Sequence, residues 1–150
     1  MDIKDVMTRN PHCVTPNATI QEAAQIMARE DIGIVPVVEQ DNDRKLVGVI
    51  TDRDIAVRCV AQGRGADCRV SEAMSSGRIT TCRENEHINR VMDAMRTEKV
   101  RRIPIVDERG GLVGIVSQAD VVRKSRDGSR AERTIEDISE PGGRHAQHAD

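Results

Sequence analysis

Two periods of apolar and polar positions alternate along this chain. In the first stretch, Ile20, Ala23, Ala24 and Met27 recur at helical spacing behind Thr19 and Glu22. A hydroxyl and a carboxylate three residues apart at the head of an apolar stripe predict a capped amphipathic helix, here running to Arg29 or Glu30. Two β-rich runs follow, Ile34-Val35-Pro36-Val37-Val38 and Leu46-Val47-Gly48-Val49-Ile50, joined by the polar Gln40-Asp41-Asn42-Asp43-Arg44. Pro36 has no N–H to give to a ladder, so its strand is expected to bend or lie at an edge there. Thr51 to Val60 predicts a second helix, closed by Gly63-Arg64-Gly65. Ahead of all this, Ile3, Val6 and Met7 predict a short lead-in helix, and Val14-Thr15 a brief strand.

The same order then returns. Ser71-Glu72-Ala73-Met74 gives a lead-in, Ile79-Thr80 a strand, and Ile88, Val91, Met92 and Met95 a helical stripe. Ile103-Pro104-Ile105-Val106 and Leu112-Val113-Gly114-Ile115-Val116 give paired strands, and Ser117 to Lys124 opens a last helix. Pro36 and Pro104 are 68 residues apart, as are Ile20 and Ile88, while Gly48 and Gly114 are 66 apart, so the second copy is two residues shorter in its polar turn. A period this long suits two small modules rather than a solenoid. The expectation is an α/β (α+β) fold of two β-α-β-β-α modules, residues 1–66 and 67–124, followed by a mostly flexible, charged tail at 125–150.

The chain is 150 residues long, enough for one ordinary domain or two half-size modules sharing a core. With 32% charged residues and a net charge of −2, no strong field points to nucleic acid or an anionic membrane. Phe, Tyr and Trp are all missing. Stacking of bases on aromatic rings is therefore excluded, and a flat ligand must be held by aliphatic side chains and backbone. No apolar run approaches a membrane span and no signal-peptide core is present, which predicts a cytosolic protein. Cys13, Cys59, Cys68 and Cys82 form no C-x-x-C pair and lack His at zinc spacing; they read as reduced, partly buried thiols, with His12-Cys13 a weaker metal or redox alternative. No metal ligand set is assigned.

Each copy ends in one phrase, Gly48-Val49-Ile50-Thr51-Asp52-Arg53-Asp54 and Gly114-Ile115-Val116-Ser117-Gln118-Ala119-Asp120. A strand running directly into a helix leaves backbone N–H groups unpaired at the helix start, where phosphate is favoured. A hydroxyl (Thr51, Ser117) and a carboxylate (Asp54, Asp120) fall in the first turn, where the carboxylate can accept from both hydroxyls of a ribose. The same spacing is also that of a capping box, which would satisfy helix N–H groups and nothing more.

With Asp5-Val6-Met7-Thr8, the two proline strands and the two closing phrases, the chain resembles a tandem pair of cystathionine-β-synthase (CBS) domains, a Bateman module, over about residues 1–124. The resemblance implies modules related by a pseudo-twofold axis and packed through their sheets, with two clefts between them that take adenine nucleotides or related adenosyl compounds. It also implies a homodimer. It gives Thr51, Asp54, Ser117 and Asp120 the roles of ribose and phosphate contacts, and it implies an apolar slot for the base, for which Val35, Ile103 and Ile79 are the candidates.

In the second copy Arg101 and Arg102 stand before Ile103-Pro104, where guanidinium groups can grip phosphate; the bland alternative is a solvated basic edge. The first copy has Gly33-Ile34 at that place, so the two sites are expected to differ in phosphate affinity. Arg53, matched by Ala119, either offsets this or is a surface residue. No G-x-S-x-G, P-loop or H-E-x-x-H is present, His87 falls at a helix start, and no catalysis is expected of this chain. The reading is a regulatory ligand-sensing module for AMP, ADP or ATP, with NAD or S-adenosylmethionine as relatives and no required cofactor. It would pass its signal through the angle between modules or through the dimer to an effector protein. The alternatives are a ligand-free interaction scaffold and a nucleic-acid binder using Arg64, Arg69 and the tail arginines.

Overall fold

The structure, a computed structural model, describes residues 1–124. The expectation for the tail from 125 onward lies outside the described residues. In chain order the elements are β1 (Thr8–Arg9), α1 (Ile20–Glu30), β2 (Ile34–Gln40), β3 (Asp43–Thr51), α2 (Asp52–Arg58), β4 (Cys82–Arg83), α3 (Ile88–Glu98), β5 (Arg102–Val106), β6 (Leu112–Ser117) and α4 (Gln118–Lys124). Short 3-10 turns occupy Ile3–Asp5, Val60–Gln62 and Val70–Glu72. Among the described residues no helix is long and apolar enough to cross a membrane.

The predicted stripes bury as their spacing requires. In α1, Ile20, Ala23 and Met27 face inward, and the Thr19 hydroxyl accepts from the Glu22 N–H at 3.2 Å. In α3, Ile88, Val91, Met92 and Met95 are buried, and the His87 ring caps the helix, Nδ1 accepting from the Asn89 N–H at 3.1 Å. Both helices end on a non-glycine residue in the left-handed region, Asp31 (φ 55°) and Lys99 (φ 57°). These two positions are again one repeat apart. The hairpin of β2 and β3 extends into the polar run, leaving Asp41-Asn42 as its turn, and it carries register irregularities immediately after Val37, next to Pro36.

The described residues form two compact units, one from 1–11 with 80–124, the other from His12–Ile79. Their boundaries cut across the sequence repeat, because each lead-in belongs to the body of the other copy. In the first unit, Ile3 and Val6 are fully buried in a core with Ile88, Met92, Met95, Ile103, Ile105 and Val116. The Ile3 and Lys4 N–H groups donate to the Glu86 and Glu84 carbonyls at 2.9 and 3.0 Å, and β1 pairs antiparallel with β6. The sheet order is β1-β6-β5-β4, with β4 parallel to β5. In the second unit, Val70 and Ala73 are fully buried with Ile20, Ala23, Val35, Val37 and Ile50. There single bridges do what β1 and β4 do in the first: Ser75 pairs with Val49 of β3, and Val14 with Val37 of β2.

Two strand expectations are corrected. Val14-Thr15 is one bridge residue, not a strand. The strand expected at Ile79-Thr80 lies at Cys82–Arg83, since Cys82 is the residue that packs into the core and pairs with Ile105, whereas Ile79 and Thr80 are half-buried and irregular.

Candidate ligand site

Each unit ends its central hairpin in the same junction. In the His12–Ile79 unit, β3 passes directly into α2. The Thr51 hydroxyl accepts from the Asp54 N–H at 3.0 Å while one Asp54 carboxylate oxygen accepts from the Thr51 N–H at 3.0 Å. In the other unit β6 passes into α4. The Ser117 hydroxyl accepts from the Asp120 N–H at 3.1 Å and an Asp120 oxygen from the Ser117 N–H at 3.0 Å. The capping box is thus fully made in both. It uses one oxygen of each carboxylate, Oδ2. The other, Oδ1, faces an arginine one turn on: Arg123 lies 2.8 Å from Asp120, and Arg58 lies 3.9 Å from Asp54. The hydroxyl oxygens accept within the cap, and a hydroxyl that accepts can also donate.

The strand beside each junction is placed by the ladder. Arg102 stands opposite Ser117, and the Gln118 N–H donates to the Arg101 carbonyl at 2.8 Å. Ile34 stands opposite Thr51, and the Asp52 N–H donates to the Gly33 carbonyl at 3.0 Å. The structure therefore brings Arg101, Arg102, Ser117 and Asp120 together in one unit, and Thr51 and Asp54 beside an uncharged Gly33-Ile34 in the other. Arg53 is exposed on the first turn of α2. Arg101 and Arg102 are half-buried, while Thr51, Ser117 and Asp120 are buried polar residues at 3%, 6% and 9% exposure.

The apolar candidates divide differently. Val35 and Ile103, expected to line a slot for the base, are 0% and 1% exposed and belong to the two cores, so their side chains have no face left for a ligand. Both lie inside hairpins whose inner faces cover the helices. Ile79, half-buried, sits at the last position of the His12–Ile79 unit and not at the start of a strand.

The described cavities lie elsewhere. One, of about 490 Å³, is lined by Arg83, Glu84, Glu86, Val106, Glu108 and Arg109 at the far end of the β5–β6 hairpin from Ser117. Its acids are largely engaged, Glu84 with Arg9 and Glu86 with Arg90, and it holds none of the expected contacts.

Cys59, Cys68 and Cys82 are buried and Cys13 half-buried. Burial pushes the Cys82 thiol up to about 11, with the Glu86 carboxylate adding to the effect. His12 pairs with Glu30 and Cys13 accepts from Arg44 at 3.4 Å, so the adjacent His and Cys serve different neighbours. Among the described residues no group of three or more His, Cys, Asp or Glu side chains could hold a metal ion.

A family model described as CBS domain matches residues 3–60 and again 70–127. The chain belongs to the CBS domain family. It is 40% identical over 137 residues to the CBS domain-containing protein YhcV of Bacillus subtilis, covering 91% of this chain and 94% of that one. Among solved structures it resembles the CBS domain pair of protein MJ0100 in complex with 5-methylthioadenosine and S-adenosyl-L-methionine (TM-score 0.69, 32% identity, 82% of this chain and 94% of that one). It also resembles the CBS domain protein PAE2072 from Pyrobaculum aerophilum complexed with AMP (TM-score 0.73, 26% identity, 86% and 95%).

Reading the CBS motifs from sequence missed two arginines, Arg58 and Arg123, which occupy the outer oxygens of the aspartates. The signal was available: each lies three or four residues after its aspartate, the spacing at which helical side chains meet. Arg58 is further tied down, its Nη1 donating to the Ala73 and Met74 carbonyls at 3.1 Å each, whereas Arg123 is 65% exposed.

Proposed function

We propose that this CBS pair is a regulatory module that binds an adenosyl ligand at its strand-to-helix junctions, with AMP, ADP or ATP as the first candidates and S-adenosylmethionine or NAD as relatives. The observation that carries the reading is the division of labour on each aspartate: one oxygen serves the helix cap and the other faces only an arginine side chain one turn on. A ribose can thus be gripped without breaking the cap. In the second junction Asp120 Oδ1 accepts the ribose hydroxyls, the exposed Arg123 swinging aside, while Ser117 donates to phosphate and Arg102 and Arg101 supply charge-assisted bonds to it. In the first junction Thr51 and Asp54 hold the ribose. Phosphate there relies on Arg53, since Gly33-Ile34 brings no charge.

The complexes of MJ0100 with methylthioadenosine and S-adenosylmethionine, and of PAE2072 with AMP, support an adenosyl ligand class. The base would contact backbone and the rims of the hairpins rather than Val35 or Ile103. Occupancy would be relayed to a separate effector protein or within a homodimer, and no catalysis is assigned to the chain.

Mass spectrometry of small molecules released from freshly purified protein, followed by calorimetric titration of AMP, ATP and S-adenosylmethionine, tests the reading. Saturable heat with at least one adenosyl compound is expected. Its absence for all three would leave the junctions as caps and the chain as a scaffold. Arg102→Ala is expected to weaken a phosphate-bearing ligand roughly tenfold or more, the worth of one charge-assisted hydrogen bond, and to leave methylthioadenosine unaffected.

A further inference from the structure

Away from the ligand junctions, one cluster of nucleophilic and titratable groups in the His12–Ile79 unit is unused by the proposed function. Cys59 closes α2 and Cys68 precedes the 3-10 turn Val70–Glu72. Their Sγ atoms are 2.9 Å apart, against about 2.05 Å in a disulfide. Both backbones are pinned. The Cys59 carbonyl accepts from the Gln62 and Arg64 N–H groups at 3.1 and 3.0 Å, and the Cys68 carbonyl accepts from the Ile20 N–H at 2.8 Å. The two sulfurs are therefore held face to face by the fold rather than meeting by chance rotation.

The surroundings form a chain from core to solvent. Cys59 is fully buried, and the Cys68 thiol donates to the Glu72 carboxylate at 3.5 Å. Glu72 also accepts from the Arg69 N–H at 2.8 Å and pairs with Arg64, both of these partners being exposed. Residues 60–67, the segment that joins the two cysteines, are exposed throughout. An oxidant thus needs only that short segment to lift, not the unit to unfold.

We propose that Cys59 and Cys68 are a thiol-modification site that closes to a disulfide within this unit when the chain meets a low-molecular-weight disulfide. Cys68, the less enclosed thiol, gives its proton to solvent base and attacks one sulfur of the oxidant. The oxidant's S–S bond breaks and its outer half leaves as a thiolate, which takes up a proton. Cys59, deprotonated in turn, attacks the Cys68 sulfur of the mixed disulfide, and the second half of the oxidant leaves as a thiol. Two protein thiols are oxidised by two electrons and one small disulfide is reduced to two thiols. The hydrogen bond with Cys59 and burial push the Cys68 thiol up to about 12, so the reaction is slow at neutral pH and quickens as pH rises. The product ties the end of α2, the helix that begins at Thr51 and Asp54, to the lead-in of the second repeat.

The test uses the full chain under native conditions with excess oxidised glutathione, then alkylation and digestion without reduction. Trypsin cuts after Arg58, Arg64 and Arg69, so the two cysteines fall in separate peptides, 59–64 and 65–69. The expected result is one cross-linked peptide pair, two hydrogens lighter than the sum of its parts, released by dithiothreitol. Its formation is expected to speed up about tenfold per pH unit between pH 7 and 9. The oxidised chain should melt higher by roughly 4 °C or more, since the bridge removes freedom from the unfolded chain. Cys68→Ala should show no such rise under the same treatment. Recovery of both peptides singly alkylated, a lasting adduct of glutathione on either cysteine, or a bridge to Cys13 or Cys82 would overturn the proposal. Because the readout on the wild-type chain is covalent and needs no ligand, its failure is separable from failure of ligand binding.

Discussion

Gly48 and Gly114 open the phrase that marks each repeat, yet neither takes a left-handed φ; those values belong to Gly63 and Gly110. Space is what requires them. A Cβ at Gly48 would sit 2.7 Å from the Ser75 carbonyl, and one at Gly114 would sit 2.6 Å from the Met7 sulfur and 3.0 Å from the Thr8 carbonyl. Each glycine is where the lead-in of the other copy crosses the hairpin. Backbone cannot yield as a methionine side chain can, so Gly48→Ala is expected to cost about 1–3 kcal/mol and Gly114→Ala less, as read from urea midpoints. The reverse order would contradict the crossing as the cause. Cys68 supplies a second residue-scale expectation. Its thiol holds a proton more tightly when folded than the ordinary value of 9.0, so it contributes stability below pH 9 that fades as pH climbs towards about 12. Unfolding free energy measured from pH 7 to 10.5 should therefore fall more steeply in the wild type than in Cys68→Ala; parallel curves would remove this role.

At the scale of elements, the helices were the most legible part of the sequence because both signals for each, stripe and cap, lie within a few neighbouring residues. Thr19 with Glu22, Thr51 with Asp54 and Ser117 with Asp120 all cap where the spacing says. Thr51→Ala removes the acceptor of the Asp54 N–H in a buried setting and is expected to cost about 1 kcal/mol, seen as a lowered urea midpoint, whereas Asp54→Asn keeps an acceptor oxygen for the cap and should cost less. The short strands were less legible. One bridge residue at Val14 carries no periodicity of its own, and Ile79-Thr80 attracted the strand assignment by its β-propensity alone. The 68-residue offset that aligns Pro36 with Pro104 carries Val14 onto Cys82, which is where the strand lies. Val35 and Ile103 lie beside a conspicuous motif and are core residues, as alternation along their strands requires.

For the molecule as a whole, duplication was plain in the sequence and the membership of each unit was not. The lead-ins read as the first element of the copy they precede, and only long-range pairing, Thr8 with Ile115 and Ser75 with Val49, reveals that each completes the other copy's sheet. No local signal reports a partner 107 residues away, as for Thr8, or 26 residues back, as for Ser75. The hydroxyls and aspartates of the candidate site stand out in the sequence because they sit in a repeated phrase, and Arg101-Arg102 because the first copy has Gly33-Ile34 at that place; Arg58 and Arg123 do not stand out, because helix-spaced arginines are common on solvated surfaces. The account rests on the non-capping oxygen of each aspartate taking the ribose. Calorimetric titration of AMP into the wild type and into the Asp54→Asn/Asp120→Asn double variant tests this most directly. The account predicts a loss of at least tenfold in affinity with the melting temperature little changed. Equal affinity in the two proteins, or a collapse of stability with binding intact, would contradict it.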